Sequence, residues 1–265
     1  MERQIDFQCW KDLEEKVRSL EEESPEPEQG GHFSQLLFRG QASHNWALET
    51  TLDRAKTTLT DLADYYRLAA LAKTRIDTFT SHSWQDIDYM AIAKLLTNYD
   101  PVHTIYSLPH YDFFTYLRHH GFPSPLLDWS RSLYIAAFFA IQKPIGDRVA
   151  IFVYQEYAGS GKYNSSKDPQ IHGLGPNIKS DPRHFDQQAE YTICVKFDDG
   201  KWCIGKHTDV FLLDRKGQDR LWKFTFPSSE AAKIMKQLKH YNISAYSLFH
   251  SEDALLQDLA GELIY

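Results

Sequence analysis

A chain of 265 residues, 42% hydrophobic and 14% aromatic, carries enough apolar material for a sizeable core, and its length fits one large domain. The formal net charge of −7 supplies no global cationic field, so non-specific nucleic-acid binding is not favoured, although a local basic cleft stays open. No apolar run approaches about 20 residues, and Met1-Glu2-Arg3-Gln4 leads into no apolar signal region; the expectation is a cytoplasmic protein with no membrane partner.

Cys9, Cys194 and Cys203 make an odd count with no Cys-x-x-Cys spacing, which reads as packed thiols and no metal site. In chain order, Trp10, Leu13, Val17 and Leu20 recur at helical spacing and predict an amphipathic first helix. Glu21 to Gly31 is acidic and rich in Pro and Gly, and reads as a solvated loop. Gln35 to Arg39 reads as a buried strand ending in an arginine before Gly40. A guanidinium at a strand end suits a phosphate or carboxylate, or else pairs internally with Asp128 or a glutamate. Gly40 would let a ligand approach the backbone, and Gln41, Ser43, His44, Asn45 and Trp46 add polar and stacking groups beside it.

Helical periods follow over 59–79 and 87–96, and a third helix runs from Pro109 or His110 to His119. His119 near that helix end either contacts a ligand phosphate or acts as an acid, or serves as a structural hydrogen-bonder. Leu126 to Trp129 is a short apolar strand in which Asp128 needs a partner or a solvent-filled cleft. Ser130 is the expected cap of the apolar helix after it. Arg148 to Tyr154 is a strand, and 158–181 is a long irregular tract that reads as a lid over the site or as disorder. Within it, Gly159-Ser160-Gly161-Lys162 lacks the spacing of a phosphate loop. Strands are expected at 190–197, 202–204, 210–213, 221–226 and 244–249, with helices at 228–241, capped by Ser228, and at the end of the chain. The fold class is α+β: a single domain whose mixed or antiparallel central sheet is flanked by helices.

Three pieces of this chain resemble the FRG domain family, a mostly bacterial domain named for its Phe-Arg-Gly signature. They are Phe38-Arg39-Gly40-Gln41 with Trp46, Leu48 and Arg54; the stretch from Leu117 to Ser130 around Leu126-Leu127-Asp128; and Pro182-Arg183 with Gln187-Gln188 and Tyr191-Thr192. Arg118 stands where the family usually has Gln, and Pro125 where it usually has Arg. The resemblance spans roughly Trp10 to Leu263 and divides the chain into an N-terminal helix and acidic loop, 1–31, and an FRG domain, 32–265.

An early strand-end Arg, a Ser at a strand-to-helix junction and a late-strand Gln or Glu resemble the order of polar motifs in ADP-ribosyltransferases, and the fold is expected to be of that type. The resemblance implies Arg39, Ser130 and Glu190 or Gln187 as catalytic residues. Phe38, Gly40, Gln41, Trp46, His119, Asp128, Trp129, Arg183 and Gln188 are the implied binding residues, and NAD the substrate. It implies an effector of the toxin or phage-defence type that breaks the nicotinamide–ribose bond and modifies a protein or nucleic-acid acceptor, or an NAD hydrolase if water accepts. The rival is a binding module, in which Arg39, His119, Asp128, Trp46 and Trp129 form a cationic, aromatic-walled pocket for a nucleotide or a nucleic-acid base without catalysis. A third reading is an interaction domain in which Arg39 and Asp128 form one internal ion pair.

Overall fold

A computed structural model describes residues 2–23, 32–80, 84–158, 167–176, 178, 182–212 and 219–264. The strands are β1 (Glu2–Asp6), β2 (His32–Phe33), β3 (Leu37–Gln41), β4 (Leu126–Ser130), β5 (Arg148–Gln155), β6 (Tyr157–Ala158), β7 (Gln170–Gly173), β8 (Ala189–Asp198), β9 (Lys201–Ile204) and β10 (Arg220–Pro227). Eight of them form one sheet in the order β1-β10-β5-β3-β4-β8-β7, with β9 also on β8, while β2 and β6 pair separately. Only the β1–β10 pairing is parallel, so the sheet is mixed and mainly antiparallel, as the sequence predicts.

The helices are α1 (Trp10–Glu22), α2 (Thr51–Arg54), α3 (Leu62–Phe79), α4 (Tyr89–Leu95), α5 (Tyr111–His119), α6 (Leu133–Ile141), α7 (Pro182–Asp186), α8 (His207–Leu212), α9 (Ala231–His240), α10 (Ala245–Phe249) and α11 (Glu252–Leu263). Strand alternation sorts the core into faces. Val149, Ile151 and Val153 of β5 join α1, α6 and α9 in one cluster, whereas Phe152 and Tyr154 join Leu37, Leu127, Trp129 and Phe211 in another. A third cluster packs α3, α4 and α5 against Leu126, Tyr191, Ile193 and Val195. Two helical groups therefore share one face of the sheet, and they part over the junction of β3 and β4.

Several segments differ from the sequence reading. Residues 207–212 and 245–249 are helical rather than strands, because their short apolar runs carry no period long enough to separate the two; Ser244 caps α10 through a capping box with Ser247. The tract 158–181 contains a strand, β7, and the chain closes in helices after β10 rather than in a βαβα unit. Ser228 opens a short 3₁₀ turn and donates to the Gly146 carbonyl instead of capping α9. The Gly159–Lys162 tetrapeptide and residues 24–31 lie outside the described residues.

Candidate functional site at the split between β3 and β4

β3 and β4 pair at a single position, Phe38 with Ser130, although β3 runs alongside β5 for five residues. Beyond that pair the strands separate. Gly40 fixes the geometry of β3: a Cβ there would stand 1.9 Å from the Ala136 carbonyl, so the glycine lets α6 lie directly on the strand. The close approach at Gly40 is thus to a helix and not to a ligand. On the other side, α5 ends in a Schellman turn, with the Phe122 amide donating to Leu117 and the Gly121 amide to Arg118, and Gly121 at φ +82°. That turn sets Arg118 and His119 in the last turn of the helix.

Arg39 fills the gap between the strands. Its Nη1 donates to the Asp128 main-chain carbonyl at 2.8 Å, taking the place of a ladder bond, and lies 2.7 Å from Asp128 Oδ1. Arg118 Nη2 reaches the same Oδ1 at 2.6 Å. The two guanidinium side chains are 10% and 18% exposed, and the carboxylate 40%. Asp128 therefore has both things its sequence context demanded, a partner and an open side. Burial pushes its carboxyl up, but the Arg39 and Arg118 charges outweigh that and hold it well below the ordinary 3.8. Arg39 Nε and Arg118 Nε are buried donors with no hydrogen-bond partner among the described residues, which is costly.

Around this trio lies a partly enclosed cavity of about 220 Å³. Arg54 adds a third guanidinium, and burial followed by the charges of Arg39 and Arg118 lowers its proton affinity. Three arginines against one carboxylate leave an excess of positive charge before His119 is counted. His119 Nε2 is 2.6 Å from the Tyr191 hydroxyl, and burial raises Tyr191 so far that the hydroxyl keeps its proton. Among the described residues no three His, Cys, Asp or Glu side chains converge to hold a metal ion.

The structure brings Phe38, Arg39, Gly40, Gln41, Trp46, His119, Asp128, Ser130 and Gln187 to the cavity, with differing roles. Gln41 Nε2 donates to the Ala47 carbonyl and Lys223 Nζ to the Trp46 carbonyl, so these bonds pin the loop beside the cavity. Ser130 Oγ donates to the Gln187 carbonyl and accepts from the Ser132 amide; the cap of α6 is Ser132, because β4 continues through Ser130. Gln187 Nε2 donates to the Leu248 carbonyl and anchors α10. Trp129 also borders the cavity, but its indole donates to Thr192 Oγ1 and stacks on Tyr154, so its ring belongs to the core of the other face.

Glu190, Arg183 and Gln188 do not line the cavity. Alternation along β8 sends Glu190 away from Ala189 and Tyr191; it accepts from Gln35 Nε2 at 3.0 Å and lies 3.8 Å from Arg131 Nε. Arg118, Arg54 and Tyr191 join the site without having been named for it from sequence. The signal for Arg118 was present: a basic residue beside His119 in the last turn of an amphipathic helix that stops just before Asp128's strand.

Residues 34–148 match the family model of the FRG domain. The chain carries an FRG domain. The matched stretch of the FRG domain holds Arg39, Arg54, Arg118, His119 and Asp128, the whole charged part of the cavity, whereas Gln187, Glu190 and Tyr191 fall beyond it. No curated protein and no solved structure matches the chain.

Proposed function

We propose that the cavity binds the phosphate groups of a nucleotide, and that the substrate is NAD, from which the protein transfers ADP-ribose to a macromolecule as an effector of the toxin or phage-defence type. The observation that carries the reading is the gathering of Arg39, Arg54 and Arg118 about one carboxylate in a partly enclosed cavity. Planar guanidinia match phosphate oxygens, and low exposure strengthens each contact. In the reaction the C1′–N bond breaks, nicotinamide leaves with the bonding pair, and an acceptor nucleophile forms the new bond at C1′ while losing its proton. Asp128, kept ionised by two arginines and 40% exposed, is the carboxylate available to offset positive charge developing on the ribose. His119, its Nε2 engaged by Tyr191 and its Nδ1 buried, is a wall of the cavity, and the acceptor's proton passes to solvent.

A second reading, a nucleotide-binding module without catalysis, is favoured by the position of Glu190 on the far face of β8. Nicotinamide release from NAD separates the two. Release by the wild-type chain that is lost in Arg39→Ala and Asp128→Asn, and retained in Glu190→Gln, supports transfer chemistry. NAD binding without release, in the presence of protein and nucleic-acid acceptors, supports the binding module. Neither binding nor release removes both.

A further inference from the structure

Most polar and aromatic side chains of the arginine cavity are already engaged within the protein: Arg39 and Arg118 face Asp128, His119 meets Tyr191, and the Trp129 indole donates to Thr192. Trp46 is different. Its indole lines the same cavity and makes no hydrogen bond and no ring or cation contact among the described residues. The residue is 44% exposed, which by itself is ordinary for a surface ring. What is not ordinary is how its main chain is held. The Trp46 carbonyl accepts from Lys223 Nζ at 3.0 Å, the Ala47 carbonyl accepts from Gln41 Nε2 at 3.1 Å, and the Trp46 amide donates to the Ser43 carbonyl at 3.3 Å. Lys223 and Gln41 are both buried. Burying an ammonium is costly unless it is hydrogen-bonded, so two buried polar side chains, from β10 and β3, help to fix a loop that holds an open indole against a cationic cavity.

We infer that Trp46 is the base-stacking wall of this site: the ligand is a nucleotide whose phosphates meet the arginines and whose neutral aromatic base lies on the indole. The inference rests on the phosphate reading of the same cavity and adds the other half of the ligand. An open indole takes either a second ring or a cation. Arg39, Arg54 and Arg118 on the same cavity repel a cation, which leaves a neutral ring joined to an anion. In NAD that ring is the adenine, because the nicotinamide carries the positive charge. The cavity, at about 220 Å³, is smaller than the pockets of about 300 Å³ and more that enclose whole drug-sized ligands, so it takes the phosphate portion while the base lies along the open side that Trp46 borders. A sugar phosphate would use the arginines and leave the indole bare. A phosphotyrosine side chain is the competing occupant, and its phosphate sits directly on its ring, with no sugar between to span cavity and wall.

The test is calorimetric titration of ADP and of inorganic pyrophosphate, which carries two phosphates without a base, into the wild type, Trp46→Phe, Trp46→Ala and Arg118→Ala. Trp46→Ala should weaken ADP binding about tenfold and leave pyrophosphate within about twofold. Trp46→Phe keeps a ring and should hold ADP within about threefold of the wild type. Arg118→Ala should lose both ligands. The hydrogen bonds of Trp46 run through its main chain, so these variants should fold, and thermal melting checks it. Pyrophosphate binding that depends on Arg118, with ADP binding unmoved by Trp46→Ala, would overturn this inference and leave the phosphate reading standing; a wild type that binds neither ligand would overturn both. Equal weakening of ADP and pyrophosphate by Trp46→Ala would also overturn it, as would phenyl phosphate, the phosphotyrosine stand-in, binding as tightly as ADP.

Discussion

Asp128 and Glu190 sit on paired strands, one register step apart, and each has arginine for company, yet their environments push them in opposite directions. Asp128 has two guanidinia within 2.7 Å of one oxygen, and its carboxyl is held low in spite of burial. Glu190 has one arginine at 3.8 Å and one amide, and burial wins: its carboxyl is raised. The number and distance of the cations decide the sign, since desolvation acts the same way on both. At the β3–β4 split the cations also outnumber the carboxylate, whereas beside Glu190 nothing is left over. The first arrangement carries the surplus positive charge on which the proposed phosphate site rests, and the second has its one arginine already facing a carboxylate.

The harshest way to break this contrast is Gly40→Ala. The added methyl meets the Ala136 carbonyl, so α6 must lift off β3 and the split loses its wall; we expect a loss of about 3 kcal/mol or more in urea unfolding. A loss below about 1 kcal/mol would mean that α6 does not rest on Gly40. Asp128→Ala should follow, at about 2–3 kcal/mol, because it leaves two buried guanidinia unpaired. The figure is set below that for a fully buried pair since 40% of the carboxylate side chain is accessible.

Acid titration of stability sharpens the same comparison. The Asp128 carboxyl is lower in the folded state than its ordinary 3.8, so its contribution is complete above that value and drains away as the pH falls below it. Glu190 has the reverse sign. Its folded carboxyl lies above the ordinary 4.5, so its contribution is present below 4.5 and is lost as the pH rises through the folded value. Relative to Glu190→Gln, the wild type should therefore lose ground between mildly acidic and neutral pH, while relative to Asp128→Asn it should gain ground as the pH rises from strongly acidic values. Curves of the same sign for both variants would refute the distinction. At neutral pH, Glu190→Gln itself should stay within about 0.5 kcal/mol of wild type.

The split also marks what a sequence can disclose. Long periodic segments such as α3, and the fully apolar run of β5, carry their structure locally, and both were legible. β1 was not: Glu-Arg-Gln-Ile-Asp has little apolar signal, and it becomes a strand only by pairing with β10, some 220 residues away. At the site, the Phe-Arg-Gly and Leu-Leu-Asp motifs pointed to Arg39 and Asp128, because an arginine at a strand end and a carboxylate in an apolar strand are conspicuous against their neighbours. Their direct contact was one of the pairings the sequence offered for Arg39, whereas the recruitment of Arg118 and Arg54 and the turning away of Glu190 depend on where β3 and β4 part, which is a tertiary fact. Gly40 is the plainest case. The sequence shows a glycine beside a candidate ligand-binding arginine, and only packing reveals that α6 occupies the space.

The most direct test of the central claim is calorimetric titration of NAD into three folded proteins: the wild type, Arg118→Ala from the split and Arg131→Ala from beside Glu190. Saturable binding in the wild type and in Arg131→Ala, with loss in Arg118→Ala, is the predicted result. Equal binding in all three, or loss in Arg131→Ala alone, would place the anion site elsewhere and contradict the account.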